Sequence, residues 1–339
     1  MKVAQFLEVG KPLQIAEVAK PSAVPGSLVF KVKACGICAS DLHAVEVPGL
    51  LQRGNVLGHE YAGEVVEVGA GTSGWKVGDR LIALPGAPCG VCPACLAGRS
   101  SGCEQVIAQG FDLRMPGAYA EYSSCLAALA MKIPDSLSDN DAATIEPLAV
   151  GLGAWKAANV TSGASVLIVG AGIIGLAVAK WAQFFGAGDI GISEMVPARI
   201  ERAKRVGAEI VIDAKQHANP VIEYERLTGR KPSVIFECVG RPMIAQLIEM
   251  APPNTHLVMV GTGMQPENFT VVSAALKHLR MTFPLAYSAE DFPFVQRMVA
   301  GGRISVDGLV TATVSLEEAP AMFELLGKAN DHCKVLIKP

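Results

Sequence analysis

Four cysteines, Cys89, Cys92, Cys95 and Cys103, stand within fifteen residues and are separated largely by proline, glycine and small residues. Thiolates at that spacing can close around one zinc ion as a tetrahedral cage with no open position, which makes the site structural. Its task would be to pin a loop that has little apolar core of its own. A second set of donors is spread out. Cys38 lies in Gly36-Ile37-Cys38-Ala39-Ser40-Asp41-Leu42-His43, and His59 and Glu60 follow Gly58. A thiolate, an imidazole and a carboxylate are the mixed ligands of a catalytic zinc that keeps one position open. Cys35 forms a C-x-x-C pair with Cys38, and spacing alone permits either thiolate, or both, to bind.

A third motif addresses a dinucleotide. Gly170-Ala171-Gly172-Ile173-Ile174-Gly175 fits G-x-G-x-x-G, follows an apolar run at 165–169 and opens a helical stretch; that context is what the mechanism needs. The first glycine makes the tight turn, and the second lets backbone N–H groups approach a pyrophosphate. The third allows close helix–strand packing, and the helix start, at Ile173 and Ile174, adds partial positive charge. Glu194 stands nineteen residues after Gly175, at the end of the next candidate strand. A carboxylate there accepts hydrogen bonds from ribose hydroxyls and repels a 2′-phosphate, which favours NAD over NADP. Arg199 is the nearby cation that would instead accommodate a phosphate.

These residues need elements to hold them. Up to about residue 130 the chain reads as short strands, such as 28–32, 64–68 and 80–83, punctuated by Pro25-Gly26 and Gly78-Asp79. From 142 the texture changes to an alanine-rich helical stretch to 158. Strands at 165–169, 190–192, 210–212, 234–237 and 257–260 then alternate with helices at 173–185, 197–206 and 243–250. That alternation predicts a parallel sheet covered by helices on both faces, an α/β doubly wound domain. The tail offers helices at 292–300 and 316–326 and strands at 309–314 and 335–337. The expected organisation is a β-rich catalytic domain over 1–148, a dinucleotide domain over 149–284, and a return to the first domain over 285–339.

Composition narrows the classes. At 339 residues, half of them apolar, the chain has ample core for two domains. A net charge of −3 leaves no footprint for nucleic acid or an anionic membrane. The N-terminus lacks a signal-peptide apolar stretch, and the run 166–179 is too short to span a bilayer. A cytoplasmic protein is expected, in which nine cysteines serve metal binding or packing rather than disulfides. Cys125, Cys238 and Cys333 stand alone and read as small buried residues.

GICASDLH, GHEYAGEVVEVG, the four-cysteine loop, Glu146-Pro147-Leu148 and GAGIIG occur in that order. In this the chain resembles the zinc-containing medium-chain alcohol dehydrogenases, over essentially its whole length. The resemblance implies a GroES-like catalytic domain, a Rossmann domain and an active site in the cleft between them. It implies two zinc ions per subunit, one catalytic and one structural, with Cys38 and His59 as catalytic ligands and Cys35 outside the set. Glu60 and Glu146 match positions that ligate the metal in some branches and lie beside it in others. Ser40 matches the hydroxyl that accepts the substrate proton, His43 the outer end of that relay, and Asp41 the carboxylate that orients the ligating histidine. Without the resemblance, Ser40 reads equally as the cap of a helix starting at Asp41, His43 as a surface histidine and Asp41 as a turn former.

The implied reaction moves a hydride between NAD(H) and a small-molecule alcohol or ketone, in a homodimer or homotetramer. Glu146-Pro147-Leu148 is similar to the polyol and butanediol branch. Sorbitol dehydrogenases carry an arginine in an F-R-Y segment, where this chain reads Leu285-Ala286-Tyr287. A secondary alcohol or small diol is therefore expected, with a polyol as the alternative. A non-catalytic NAD-binding relative would have lost a ligand or the relay hydroxyl, and this chain keeps both.

Overall fold

The glycine and proline breaks before Ile133 divide the N-terminal chain into short strands, and one longer strand, Ser27–Gly36, organises them. The computed structural model describes all 339 residues. They form two compact units: Met1–Glu146 with Ser288–Gly302 and Val310–Pro339, and Pro147–Tyr287 with Arg303–Leu309.

In the first unit, Ser27–Gly36 pairs antiparallel with Glu60–Val68 along one side. On its other side it pairs with Tyr122–Leu126 near its start and with Lys334–Lys338 at its end. Register matters here. Gly36 lies opposite Glu60 on one neighbour and opposite Leu336 on the other. Leu28, Phe30, Val32, Val65, Leu81, Tyr119, Val335 and Ile337 fill the core behind this junction. The last strand also pairs in parallel with Val310–Ser315, so two strands from the end of the chain complete the sheet that Ser27–Gly36 organises. The four-cysteine loop is built separately. A two-stranded ladder, Gly86–Ala87 with Ile107–Ala108, closes its base, and the short helix Pro93–Leu96 lies within it.

The second unit is a six-stranded, wholly parallel sheet. Its spatial order is Ile210–Asp213, Ile190–Glu194, Val166–Val169, Val234–Glu237, His256–Met259, Arg280–Thr282. In sequence order of the strands this is 3-2-1-4-5-6, the doubly wound arrangement whose switch point lies beside the first strand. That strand, Val166–Val169, is buried at every position, as a central parallel strand must be. One face packs Leu167, Val169, Tyr224, Ile235, Leu247 and Leu257. A helix at Pro220–Thr228, absent from the sequence expectation, starts at Asn219, whose Oδ1 accepts from Val221 N at 3.0 Å. It ends at Gly229, φ 71°.

The glycine turn closes on itself. Gly170 has φ 101°, and a Cβ placed on Gly175 would collide with the Gly170 carbonyl. A Cβ on Gly172 would meet nothing within 4 Å. Gly175→Ala should therefore cost about 1–3 kcal/mol as an overpacked contact and lower Tm measurably, whereas Gly172→Ala should leave Tm unchanged in thermal unfolding without dinucleotide. Equal Tm values for the two variants would contradict this packing.

Candidate metal and dinucleotide sites

The strand Ser27–Gly36 ends at the residue opposite Glu60, and two residues later Cys38 precedes the helix Ala39–Ala44. Cys38 N donates to Asp41 Oδ2 at 3.3 Å. Because the helix begins at Ala39 and not at Asp41, Ser40 lies inside its first turn and is not the residue that caps it. Its Oγ donates instead to Cys38 Sγ at 3.2 Å. Ser40 and His43, three residues apart, share one side of this short helix and are both half-buried.

Asp41 has no exposed surface. Tyr119 Oη donates to its Oδ2 at 2.6 Å, and its Oδ1 faces His59 Nδ1 at 3.3 Å. Neither Oδ1 nor Nδ1 has another hydrogen-bond partner. Burial works against both charges, but each partner overrides it. The Asp41 carboxyl is held below its ordinary value and the His59 imidazole is held well above its own. With Nδ1 turned to Asp41, Nε2 is the nitrogen left for a metal, and the carboxylate fixes the ring's orientation.

Donor atoms of Cys38, His59 and Glu60 lie within 4.8 Å of one another. A thiol accepting a hydroxyl hydrogen bond, an imidazole oriented through its far nitrogen and a carboxylate, all in one partly buried cluster, fit a zinc ion. Glu146 is buried in the first turn of the helix Ile145–Ala158 but is outside this cluster. Cys35 is outside it as well: it is fully buried, its Sγ lies 3.7 Å from the Gly36 carbonyl, and burial pushes its thiol up.

Glu60 carries a partner that the sequence does not announce. Lys334 Nζ donates to Glu60 Oε1 at 2.8 Å and Oε2 at 2.6 Å, and to the Ile37 carbonyl at 2.9 Å. Both side chains are 1% exposed. Burial acts to lower the Lys334 pKa, and the Glu60 charge more than reverses it. Removing one partner of such a pair leaves an uncompensated buried charge, at a cost of about 3–5 kcal/mol.

The four-cysteine loop brings Cys89, Cys92, Cys95 and Cys103 within the same 4.8 Å limit. Cys92 N donates to Cys89 Sγ at 3.4 Å and Cys89 N to Cys103 Sγ at 3.3 Å. Backbone N–H donors pull the Cys92 and Cys103 thiols down, while burial and crowding push Cys95 up to about 12. Four sulfurs so close cannot all ionise unless a cation is shared among them, so this donor set also fits zinc. Of the three lone cysteines only Cys125 is buried; Cys238 and Cys333 are half-buried, contrary to the sequence expectation.

In the second unit, Glu194 ends its strand beside the glycine turn. Its Oε2 accepts from Ala171 N at 3.0 Å, and its Oε1 from Met195 N at 2.7 Å and Val196 N at 3.0 Å. The carboxylate thus ties the turn to the strand end. Ile173 and Ile174 are half-buried at the helix start, and Arg199 is half-buried in the helix Pro197–Arg205.

Comparison with known proteins agrees with this architecture. The alcohol dehydrogenase GroES-like domain model matches residues 24–135, and the zinc-binding dehydrogenase model matches residues 174–323. The chain belongs to the zinc-binding, medium-chain alcohol dehydrogenase family. Sorbitol dehydrogenase of Bacillus subtilis is 32% identical over 338 residues, covering 97% of this chain and 95% of that protein. The crystal structure of 2R,3R-butanediol dehydrogenase from Bacillus subtilis is 30% identical with a TM-score of 0.87, covering 100% and 99% of the two chains. That of galactitol-1-phosphate dehydrogenase from Escherichia coli is 27% identical with a TM-score of 0.89, covering 100% of both.

The Asp41–His59 contact makes a direct prediction. Asp41→Asn keeps the shape but removes the charge, and should weaken zinc at the Cys38 and His59 site about 10–100-fold while the four-cysteine zinc is retained. Competition against a chelator, followed as zinc per chain, measures this; native retention at both sites would contradict it.

Proposed function

We propose that the chain oxidises secondary alcohols or small vicinal diols to the matching carbonyl compounds, and reduces them in the reverse direction, with NAD as its dinucleotide. The observation that carries the reading is the placement of the Ser40 hydroxyl on the Cys38 sulfur, within the same helix start that brings Cys38 to His59 and Glu60. Cys38 and His59 would hold the catalytic zinc, which supplies a Lewis acid for loss of the alcohol proton and for carbonyl polarisation. Cys89, Cys92, Cys95 and Cys103 would hold a second, structural zinc.

This chain's own residues do the rest. Ser40 Oγ accepts the proton, and His43, on the same side of the helix, passes it outward. Asp41 keeps His59 oriented, and Tyr119 keeps Asp41 in place. The dinucleotide, which supplies the hydride acceptor, would lie over the turn at Gly170, Gly172 and Gly175. Glu194 would meet the adenosine ribose and repel a 2′-phosphate, with Arg199 the cation that would pair one. The catalytic domain would be formed by 1–148 and 285–339 and the dinucleotide domain by 149–284, with the segment Arg303–Leu309 packing in the second compact unit.

A homodimer or homotetramer is supported by the sheet edge of the second unit. Arg280–Thr282 pairs on one side only, and Leu276, Phe283 and Leu285 beside it are exposed. An unpaired edge flanked by apolar surface calls for a second copy. Zinc thiolates persist where thiols stay reduced, which supports the cytoplasm.

A polyol substrate is the second reading, favoured by the likeness to sorbitol dehydrogenase. Against it stands 285–287, where Leu285 and Ala286 offer no cation to hold hydroxyls. Initial rates with butan-2-ol, butane-2,3-diol, sorbitol and xylitol, each with NAD⁺ and NADP⁺, separate the two. The first two substrates with NAD⁺ should give the highest kcat/KM, and sorbitol leading the panel would replace this reading with the second. Ser40→Ala should lower turnover about 10²–10⁴-fold with zinc content unchanged; native turnover would refute its role.

A further inference from the structure

The glycine turn has a second carboxylate near it besides Glu194. Glu237 ends the strand Val234–Glu237, which flanks Val166–Val169 on the side opposite Ile190–Glu194, and it is 1% exposed. Its charge is met by backbone N–H groups and not by a cation. Oε1 accepts from Val239 N at 2.6 Å and from Gly240 N at 2.9 Å. Burial pushes this carboxyl above its ordinary value and the nearby Glu267 carboxylate adds to the rise, against the pull of those N–H groups. An apolar side chain would fill the space without that cost. What the carboxylate adds is its hold on the two N–H groups.

Those N–H groups belong to a turn that lies between two other loops. Gly240 has φ 73°. On one side, a Cβ placed on Gly170 would meet Val239 Cγ2 at 3.0 Å and the Cys238 carbonyl at 3.2 Å. On the other, a Cβ on Gly261 would collide with Gly240 N and with Glu237 Oε2. Backbone bonds join the same pieces: Cys238 N donates to the Val169 carbonyl at 2.9 Å, and Gly261 N to the Glu237 carbonyl at 2.9 Å. The loops leaving Val166–Val169, Val234–Glu237 and His256–Met259 are therefore stacked, with the Glu237 side chain against two of them. They leave the carboxyl ends of three adjacent strands beside the switch point, where a doubly wound sheet holds its dinucleotide. The space at Gly172, where a Cβ would meet nothing within 4 Å, fits the approach of a pyrophosphate.

We propose that Glu237 is a positioning residue of the dinucleotide site: by holding Val239 N and Gly240 N it fixes the turn 238–240 against Gly170, so that the crevice stands in its binding arrangement before a dinucleotide arrives. This rests on the dinucleotide reading of the turn at Gly170, Gly172 and Gly175. A turn that kept that arrangement only part of the time would weaken apparent affinity by the same fraction.

Hydrogen exchange on the ligand-free, full-length protein reads the turn itself. The Val239 and Gly240 amides should be protected in the native chain and should lose protection in Glu237→Ala. Titration with NADH, followed by the fluorescence of the nucleotide, reads the consequence. Glu237→Ala should raise the Kd for NADH about 10–100-fold, the scale on which hydrogen bonds to a charged group act. Glu237→Gln keeps the accepting oxygen and should bring the Kd back close to native. A folded alanine variant with native Kd overturns the proposal even if its Tm falls, because the carboxylate is then a structural contact only. A glutamine variant that binds no more tightly than the alanine variant overturns it too. If Glu237→Ala does not fold, Glu237→Asp takes its place, since the shorter side chain draws the oxygen back from both amides. Native Val239 and Gly240 amides that exchange as freely as exposed ones overturn the proposal without any variant. A native protein that binds neither NADH nor NADPH removes the dinucleotide reading, and this inference with it.

Discussion

A carboxylate with no exposed surface must have its charge compensated by the groups around it, and at Asp41 that requirement shapes the whole metal site. Three donors or cations converge on it: the Cys38 backbone N–H, the Tyr119 hydroxyl and the His59 ring. The first fixes the start of the helix Ala39–Ala44, the second draws in a residue seventy-eight positions away, and the third turns His59 so that Nδ1 faces the carboxylate and the other ring nitrogen faces away from it. Ser40 and His43 are aligned only because that helix start is held. Local backbone preference in six residues would not hold it alone, since isolated helices this short are marginal in water. The geometry around Cys38 is therefore imposed by burial and charge, not by helix propensity.

The two cysteine sites show how the same ligand serves opposite ends. In the loop closed by Gly86–Ala87 and Ile107–Ala108, four sulfurs surround one point and share a small set of backbone donors. Such a set satisfies a metal fully and leaves nothing to react. At Cys38 the thiol has one imidazole and a carboxylate beside it, and that carboxylate is already matched by Lys334. Three protein donors would leave a zinc ion held there one open position, which is the condition for binding a substrate oxygen. Stability and reactivity are separated in sequence and in space by placing them on different loops of one unit.

Much of this was legible from the residues. The parallel sheet announced itself through buried apolar runs at fixed alternation with helical stretches, and the strand order followed the doubly wound pattern. Boundaries slipped where polar residues end strands: 190–192 extends to Glu194, and 28–32 extends to Gly36, because the hydrogen-bonded ladder continues past the apolar run. The helix Pro220–Thr228 had its signals in Asn219-Pro220 and Gly229, but its mixed polar face hid the periodicity. Motif residues at the site were local and visible. Lys334 was not, because its partner is 274 residues away and a lysine opening an apolar strand looks like a solvated end. Tyr119 was hidden for the same reason: its hydroxyl acts on Asp41 through a fold contact that no spacing encodes.

Cys38, and not its neighbour Cys35, would carry the metal with His59. Cys35 is fully buried and outside the donor cluster, and a second thiolate would make the zinc less electrophilic while duplicating a carboxylate already at hand. Zinc per chain, measured on purified Cys35→Ser and Cys38→Ser proteins, separates them. Two zinc ions and near-native activity in Cys35→Ser, with one zinc and no turnover in Cys38→Ser, is the predicted result. Equal loss from both substitutions, with one zinc remaining in each, would contradict it.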